Sequence, residues 1–263
     1  MRPNTLKQKF RNKEVALGGW CSVGSAYSAE VMGHGGYDTV VVDLQHGMLY
    51  LEQAMAMLAA LSATPAMPMV RVSDNQFFEV NKLLDAGAYG VICPMIDSVD
   101  DARRFVDASR YPPLGSRSYG PTRGFLYGGA DYFSGANEEI LTLAMIETPQ
   151  GLNDVDQIAA VAGLDGLFVG PADLSLALGL APGVDWRSGP FADAIDLILA
   201  SARRHGKMTG IYCPSVAFAL DMRQKGFDYL NLGNDAAYLR AASQEWVAAL
   251  KGAGTTSAKA TGY

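Results

Sequence analysis

The chain has 263 residues, of which 49% are hydrophobic and 18% charged, and its formal net charge is −6. That fits one large globular domain, since barrels of about 250 residues routinely fold as single units, and the acidic balance without a basic stripe argues against a nucleic-acid partner. Cys21, Cys93 and Cys213 form no CxxC pair, which points away from a zinc ribbon or disulfide frame and toward reduced thiols in a cytoplasmic enzyme.

The first residues, MRPNTLKQKF, lack the apolar core of a secretory signal, and no apolar run is long enough to span a bilayer, so no membrane partner is expected. Residues 1–13 read as an N-terminal extension and 252–263, small and polar, as a flexible tail. Between them, short apolar runs predict strands at Ala16–Ser22, Thr39–Asp43, Pro68–Val72, Gly90–Pro94, Leu141–Glu147, Gly166–Gly170, Met208–Tyr212 and Tyr229–Leu232. The runs are continuously apolar, as parallel strands buried on both faces should be. Helical patterns follow each: Ser25–Met32, Tyr50–Ser62, Asn75–Ala86, Val99–Ser109, Gly151–Val161, Gly189–His205, Ser215–Lys225 and Ala236–Lys251. Eight strand–helix units in one domain predict a closed (β/α)₈ barrel, with an open doubly wound sheet as the rival. Residues 111–137, rich in Gly, Pro and aromatics, show no period. They read as a surface excursion, or as a lid or subunit contact.

Barrel chemistry sits at the C-terminal ends of strands, and polar residues ending apolar strands are therefore candidates. Asp43 and His46 follow the second strand in VVVDLQHG; His34 and His205 end helices and face the other way. Arg71 ends the third strand and needs an anionic partner, either a protein carboxylate or a bound oxo-acid. Glu147 tips the fifth strand, and Asp173 lies just past the sixth. Two converging carboxylates would repel unless one took up a proton or a divalent cation joined them, and with water and substrate oxygens they suit Mg²⁺ or Mn²⁺. Asp173 could also simply cap a short helix beginning at Leu174. The amides of Ala172 and Asp173 would then point outward as a cradle for a substrate carboxylate. No lysine ends a strand, which disfavours a Schiff-base mechanism, and no GxGxxG or Walker loop supports nucleotide chemistry.

The segments GGWCSVGS, VVVDLQHG, PMVRVSD, LLDAGAYGVICPM, MIETPQGL and VGPADLSLALG together resemble the HpcH/HpaI family of class II pyruvate aldolases, over about residues 14–250. The resemblance implies a TIM barrel, a homohexamer built as a trimer of dimers, and a last helix exchanged between subunits. It implies a divalent metal (Mg²⁺, Mn²⁺ or Co²⁺) on Glu147 and Asp173, with His46 as general base acting through bound water. Asp85, from a neighbouring subunit, would raise the basicity of that histidine. Arg71 would steady the enolate, with Asp43 beside it among the catalytic residues. Trp20, Gly170, Pro171, Ala172 and Asp173 would bind the substrate, and Met145, Arg123 and Tyr212 would line an acceptor pocket. Two departures bear on the acceptor: Gln45 stands where some relatives carry glutamate, and Met145 where several carry glutamine. RSYGPTRG, at 117–124, suits the hydroxypyruvate and sugar-acid branch. The expected reaction is reversible cleavage of 4-hydroxy-2-oxo acids to pyruvate or hydroxypyruvate and an aldehyde. Oxaloacetate decarboxylation, coenzyme A ester cleavage, and a non-catalytic oxo-acid binder are the alternatives.

Overall fold

The computed structural model describes residues 1–182 and 186–252. Eight parallel strands close into a barrel in chain order. They are β1 (Ala16–Cys21), β2 (Thr39–Asp43), β3 (Met67–Arg71), β4 (Gly90–Cys93), β5 (Leu141–Ile146), β6 (Gly166–Val169), β7 (Met208–Cys213) and β8 (Tyr229–Leu232). Nearly every strand residue is buried, because the barrel interior and the helical shell cover both faces. The open-sheet alternative is excluded by the pairing of β1 with β8. Where expected strands overran, the extra residue is the tip: Glu147 and Gly170 leave the ladder at the mouth rather than pairing within it.

The helices among the described residues are α1 (Thr5–Arg11), α2 (Ala26–Gly33), α3 (Leu51–Leu61), α4 (Phe77–Asp85), α5 (Val99–Ser109), α6 (Thr122–Gly128), α7 (Tyr132–Glu139), α8 (Pro149–Asn153), α9 (Val155–Ala159), α10 (Pro171–Ala177), α11 (Pro190–Arg204), α12 (Val216–Lys225) and α13 (Asp235–Gly252). Several expected starts fell one residue early because they counted the cap. Ser25 accepts from the Ser28 amide and Ser215 from the Phe218 amide, so each stands just outside its helix. The single helix expected over Gly151–Val161 is two short ones, α8 and α9, meeting at Asp154.

The stretch read as an N-terminal extension carries α1, which sits at the base of the barrel. Leu6 is buried, the Asn4 side chain donates to the Tyr89 carbonyl at 3.1 Å, and Lys7 pairs with Asp165 at 2.7 Å. The aperiodic segment holds α6 and α7. It runs from the end of α5 to the start of β5, both at the base, so it is not a lid over the chain's own barrel mouth.

The last helix is different from the others. Beyond its first turn α13 is exposed, including Leu239, Trp246 (68%), Val247 and Leu250. The helices that would flank an eighth helix, α2 and α12, expose Tyr27, Val31, Val216 and Leu220. Only the first turn of α13 is held against its own barrel, through Asp235 and Tyr238; the rest of the helix does not pack there as an ordinary eighth helix would. Residues 253–263 of the expected tail lie outside the described residues. Among those described, no helix is long and apolar enough to cross a membrane.

Candidate active site

A cavity of about 270 Å³ opens at the C-terminal mouth, lined by Trp20, Ser22, Asp43, His46, Arg71, Met145, Gly170, Pro171, Ala172, Asp173, Tyr212 and Asn234. Its best-connected member is Asp43. Asp43 and Arg71 are register partners on β2 and β3, so their side chains leave the sheet side by side. Arg71 Nε donates to Asp43 Oδ1 at 2.9 Å and Nη2 to Oδ2 at 2.7 Å. Trp20 Nε1 donates to Oδ2 at 3.0 Å, and the amides of Gln45 and His46 donate to Oδ1 at 3.1 and 3.3 Å. Burial alone would raise the Asp43 pKa, but the hydrogen bonds and charge of Arg71 hold it below the usual carboxylate range.

The same amide bonds wind the turn that presents His46. That turn folds so tightly that a Cβ on Gly47 would stand 2.1 Å from the Asp43 carbonyl oxygen, which excludes any larger residue. The His46 side chain is exposed at the rim and makes no hydrogen bond among the described residues.

Arg71 thus has a protein carboxylate as its partner, one of the two outcomes its sequence context left open. Its third nitrogen is not used by Asp43: Nη1 lies 4.0 Å from the thioether sulfur of Met145. The guanidinium also sits 4.9 Å from the Trp20 ring centroid. Tyr212 stands edge-on to Trp20 at 5.6 Å and receives a hydrogen bond from Asn234 Nδ2 at 3.1 Å.

Across the mouth the carboxylates are not neutralised. Glu147 is 2% exposed. Its Oε1 accepts from the Met95 amide at 3.0 Å, while Oε2 is buried without any partner. Met95 holds a left-handed backbone, φ 53°, a strained conformation for a side-chain-bearing residue and one often found at functional sites. Burial, and to a smaller degree Asp173, push the Glu147 pKa up to about 7 against the Met95 hydrogen bond. Gly170 makes room for this carboxylate, since a Cβ there would lie 2.1 Å from Glu147 Oε2.

The helix after β6 begins at Pro171, not Leu174, and its N-cap is Gly170, so Asp173 lies within the first turn and caps nothing. The amides of Ala172 and Asp173 have no acceptor inside the helix. Among the described residues no three His, Cys, Asp or Glu side chains cluster as ligands. Glu147 and Asp173 are a pair, and a cation there would need water and substrate oxygens to complete its shell. An unpartnered buried carboxylate oxygen beside a second carboxylate fits that role.

Residues 17–242 match the HpcH/HpaI aldolase/citrate lyase family. The chain belongs to that family. It is an enzyme of the aldolase kind, a carbon–carbon lyase. The hydroxypyruvate/pyruvate aldolase of Rhizorhabdus wittichii is 39% identical over 93% of this chain and 98% of its own length. The 5-keto-4-deoxy-D-glucarate aldolase of Klebsiella pneumoniae is 35% identical over 95% of this chain and 97% of its own. A crystal structure of an HpcH/HpaI family protein from Burkholderia cenocepacia superposes with a TM-score of 0.87 at 32% identity, covering 94% of this chain and 99% of that one.

Of the residues expected in an HpcH/HpaI site, Trp20, Asp43, His46, Arg71, Met145, Gly170, Pro171, Ala172, Asp173 and Tyr212 line one cavity, and Glu147 lies directly behind Gly170. Arg123 does not join them. Its guanidinium donates to the Ala86 carbonyl at 2.9 Å and to Ser62 Oγ at 3.3 Å, at the C-terminal ends of α4 and α3, on the far face of the barrel. It satisfies one helix-end carbonyl and a hydroxyl there and lines no part of this chain's cavity. Asp85 ends α4 on the same far face, where Arg117 Nη2 donates to it at 2.9 Å. It cannot reach His46 of its own chain. Met95, Ser22 and Asn234 were not anticipated. Met95 acts through its backbone, which no side-chain pattern reports, and Ser22 and Asn234 are ordinary polar residues just past strand tips.

The raised pKa of Glu147 has a consequence for stability. Below 4.5 the group is protonated in both folded and unfolded chains. Between 4.5 and about 7 only the unfolded chain ionises it, so stability falls as pH rises through that window. In protein stripped with a chelator, urea unfolding at pH 5 and pH 8 should show a larger loss for wild type than for Glu147→Gln. Equal losses would show that Glu147 ionises freely.

Proposed function

We propose that this enzyme is a divalent-metal-dependent aldolase that reversibly cleaves 4-hydroxy-2-oxo acids to pyruvate or hydroxypyruvate and an aldehyde. The observation that carries the reading is the buried, unpartnered Oε2 of Glu147 facing the same mouth as Asp173 and Arg71. The relative named for hydroxypyruvate and pyruvate supports the choice of donor. Glu147 and Asp173 would hold Mg²⁺, Mn²⁺ or Co²⁺, which when bound supplies Lewis-acid polarisation of the 2-oxo group.

The chain's own groups perform the rest. The free amides of Ala172 and Asp173 receive the substrate carboxylate. Arg71, held by both oxygens of Asp43, turns Nη1 into the cavity to donate to the enolate oxygen. His46 takes the C3 proton, directly or through water. Trp20 and Tyr212 wall the pocket and exclude solvent from the developing charge. Among the described residues no lysine lines the cavity, and Lys207 donates to the carbonyls of Val161 and Leu164 at the barrel base, so no described residue supports a Schiff base.

The proposal extends to assembly: a homo-oligomer, a hexamer arranged as a trimer of dimers, in which α13 seats on a second copy. The exposed apolar residues of α13 and of its empty flanks on α2 and α12 support this. So does the position of Asp85, which could serve His46 only across a subunit boundary.

Pyruvate incubated in D₂O with the protein and Mn²⁺ should exchange its C3 protons, and EDTA should stop the exchange. Arg71→Lys should slow it by roughly two orders of magnitude, because lysine keeps the charge and loses the planar fork. Exchange that survives verified metal removal would overturn the reading. Subunit sharing is tested by complementation. Asp85→Ala and His46→Ala should each be nearly inactive, and co-reassembled hybrids should regain part of the activity. Hybrids that form and stay inactive would place both roles within one chain.

A further inference from the structure

Beside the catalytic cavity lies a second one of about 330 Å³, and the two share Pro171, Ala172 and Tyr212 as a common wall. The recess is otherwise lined by Ser175, Pro182, Trp186, Phe191, Pro214 and Phe218, and among the described residues its lining has no charged side chain. Its floor is ordered. Trp186 and Phe218 meet edge to face at 5.1 Å, and Trp186 Nε1 donates to Asp221 Oδ2 at 2.6 Å. Phe191 and Phe218 are buried. Its polar atoms are engaged elsewhere: the Ser175 hydroxyl donates to the Pro171 carbonyl at 2.7 Å, and the Tyr212 hydroxyl accepts from Asn234 Nδ2 at 3.1 Å.

The charges of the catalytic cavity point the same way. Its lining has one guanidinium, Arg71, and that group is already bound on two nitrogens by Asp43. Among the described residues of the two linings, a second substrate carboxylate would find no cationic side chain other than Arg71.

We infer that the recess between Tyr212, Trp186 and Phe218 is the subsite for the aldehyde's substituent, and that it selects an uncharged, apolar group. This rests on the aldolase reading above. Tyr212 is then the specificity wall, its ring fixed by Asn234 on one side and Trp20 on the other. The apolar lining favours each added methylene that it removes from water and offers no compensation for a desolvated charge.

The test uses the Mn²⁺-loaded enzyme, pyruvate, and three aldehydes: glycolaldehyde, pentanal and 4-oxobutanoate. Wild type should prefer pentanal over 4-oxobutanoate by about tenfold or more in kcat/KM, the scale of one or more methylenes in a fitted pocket. Trp186→Ala and, as a milder second variant, Phe218→Leu should lower kcat/KM for pentanal by about tenfold, through KM. Both should leave glycolaldehyde addition and pyruvate C3 exchange unchanged. Preference for 4-oxobutanoate would overturn the inference. So would a pentanal preference insensitive to both variants, which would mean that the recess is filled by another part of the oligomer. Sensitivity to Tyr50→Ala instead would move the subsite to the groove past His46, where Tyr50 is exposed. Absence of pyruvate exchange in wild type would overturn the aldolase reading and this inference together; normal exchange without the aldehyde preference overturns this inference alone.

Discussion

The Asp43–Arg71 pair is the interaction on which the mouth of this barrel depends. Parallel register puts the two residues side by side, and one carboxylate then serves five donors: two guanidinium nitrogens, an indole and two turn amides. A buried ion pair is a poor source of net stability, because desolvation consumes most of the attraction. What it does here is fix geometry. It orients Arg71 with one nitrogen not engaged by Asp43, pins Trp20 against that guanidinium, and winds the turn that carries His46.

The opposite side of the mouth is built in the contrary sense. Asp43 and Arg71 cancel, whereas Glu147 and Asp173 leave an excess of negative charge. One Glu147 oxygen is satisfied by a strained backbone amide, and the other has no partner. In an isolated chain the group responds by holding its proton to about pH 7. A divalent cation would offset the same deficit, and the glycine at 170 keeps the space that such a cluster requires. On the proposed function the cavity would take an anionic substrate on one wall and a cation on the other, the division of labour that enolate chemistry requires.

Much of this is legible in the sequence itself. Continuous apolar runs located each strand to within a residue at either end, and the polar residues at their tips, Asp43, Arg71, Glu147 and Asp173, fell at the mouth because barrel topology leaves them nowhere else. Local pattern failed where tertiary packing decides. The helices α6 and α7 have Gly-rich, aromatic sequences of low helical propensity. They are held by Tyr132 beneath Arg117 and by Tyr127 edge-on to Tyr89 at 4.9 Å. Arg123 carries the right chemistry for an acceptor but lies on an element at the wrong end. Met95 contributes an amide, which every residue possesses, and its left-handed backbone is invisible in the letter M. The apolar recess arises from residues on four separate elements and the segments between them, and has no linear signature at all.

The central claim is that Glu147 and Asp173 form a divalent-cation site. Titration of the metal-free protein with Mn²⁺, following the paramagnetic resonance signal of free ion, tests it without reference to turnover. Wild type should take up one ion per chain saturably, and Glu147→Gln and Asp173→Asn should abolish that uptake. Binding by wild type no greater than by the two variants would contradict the claim.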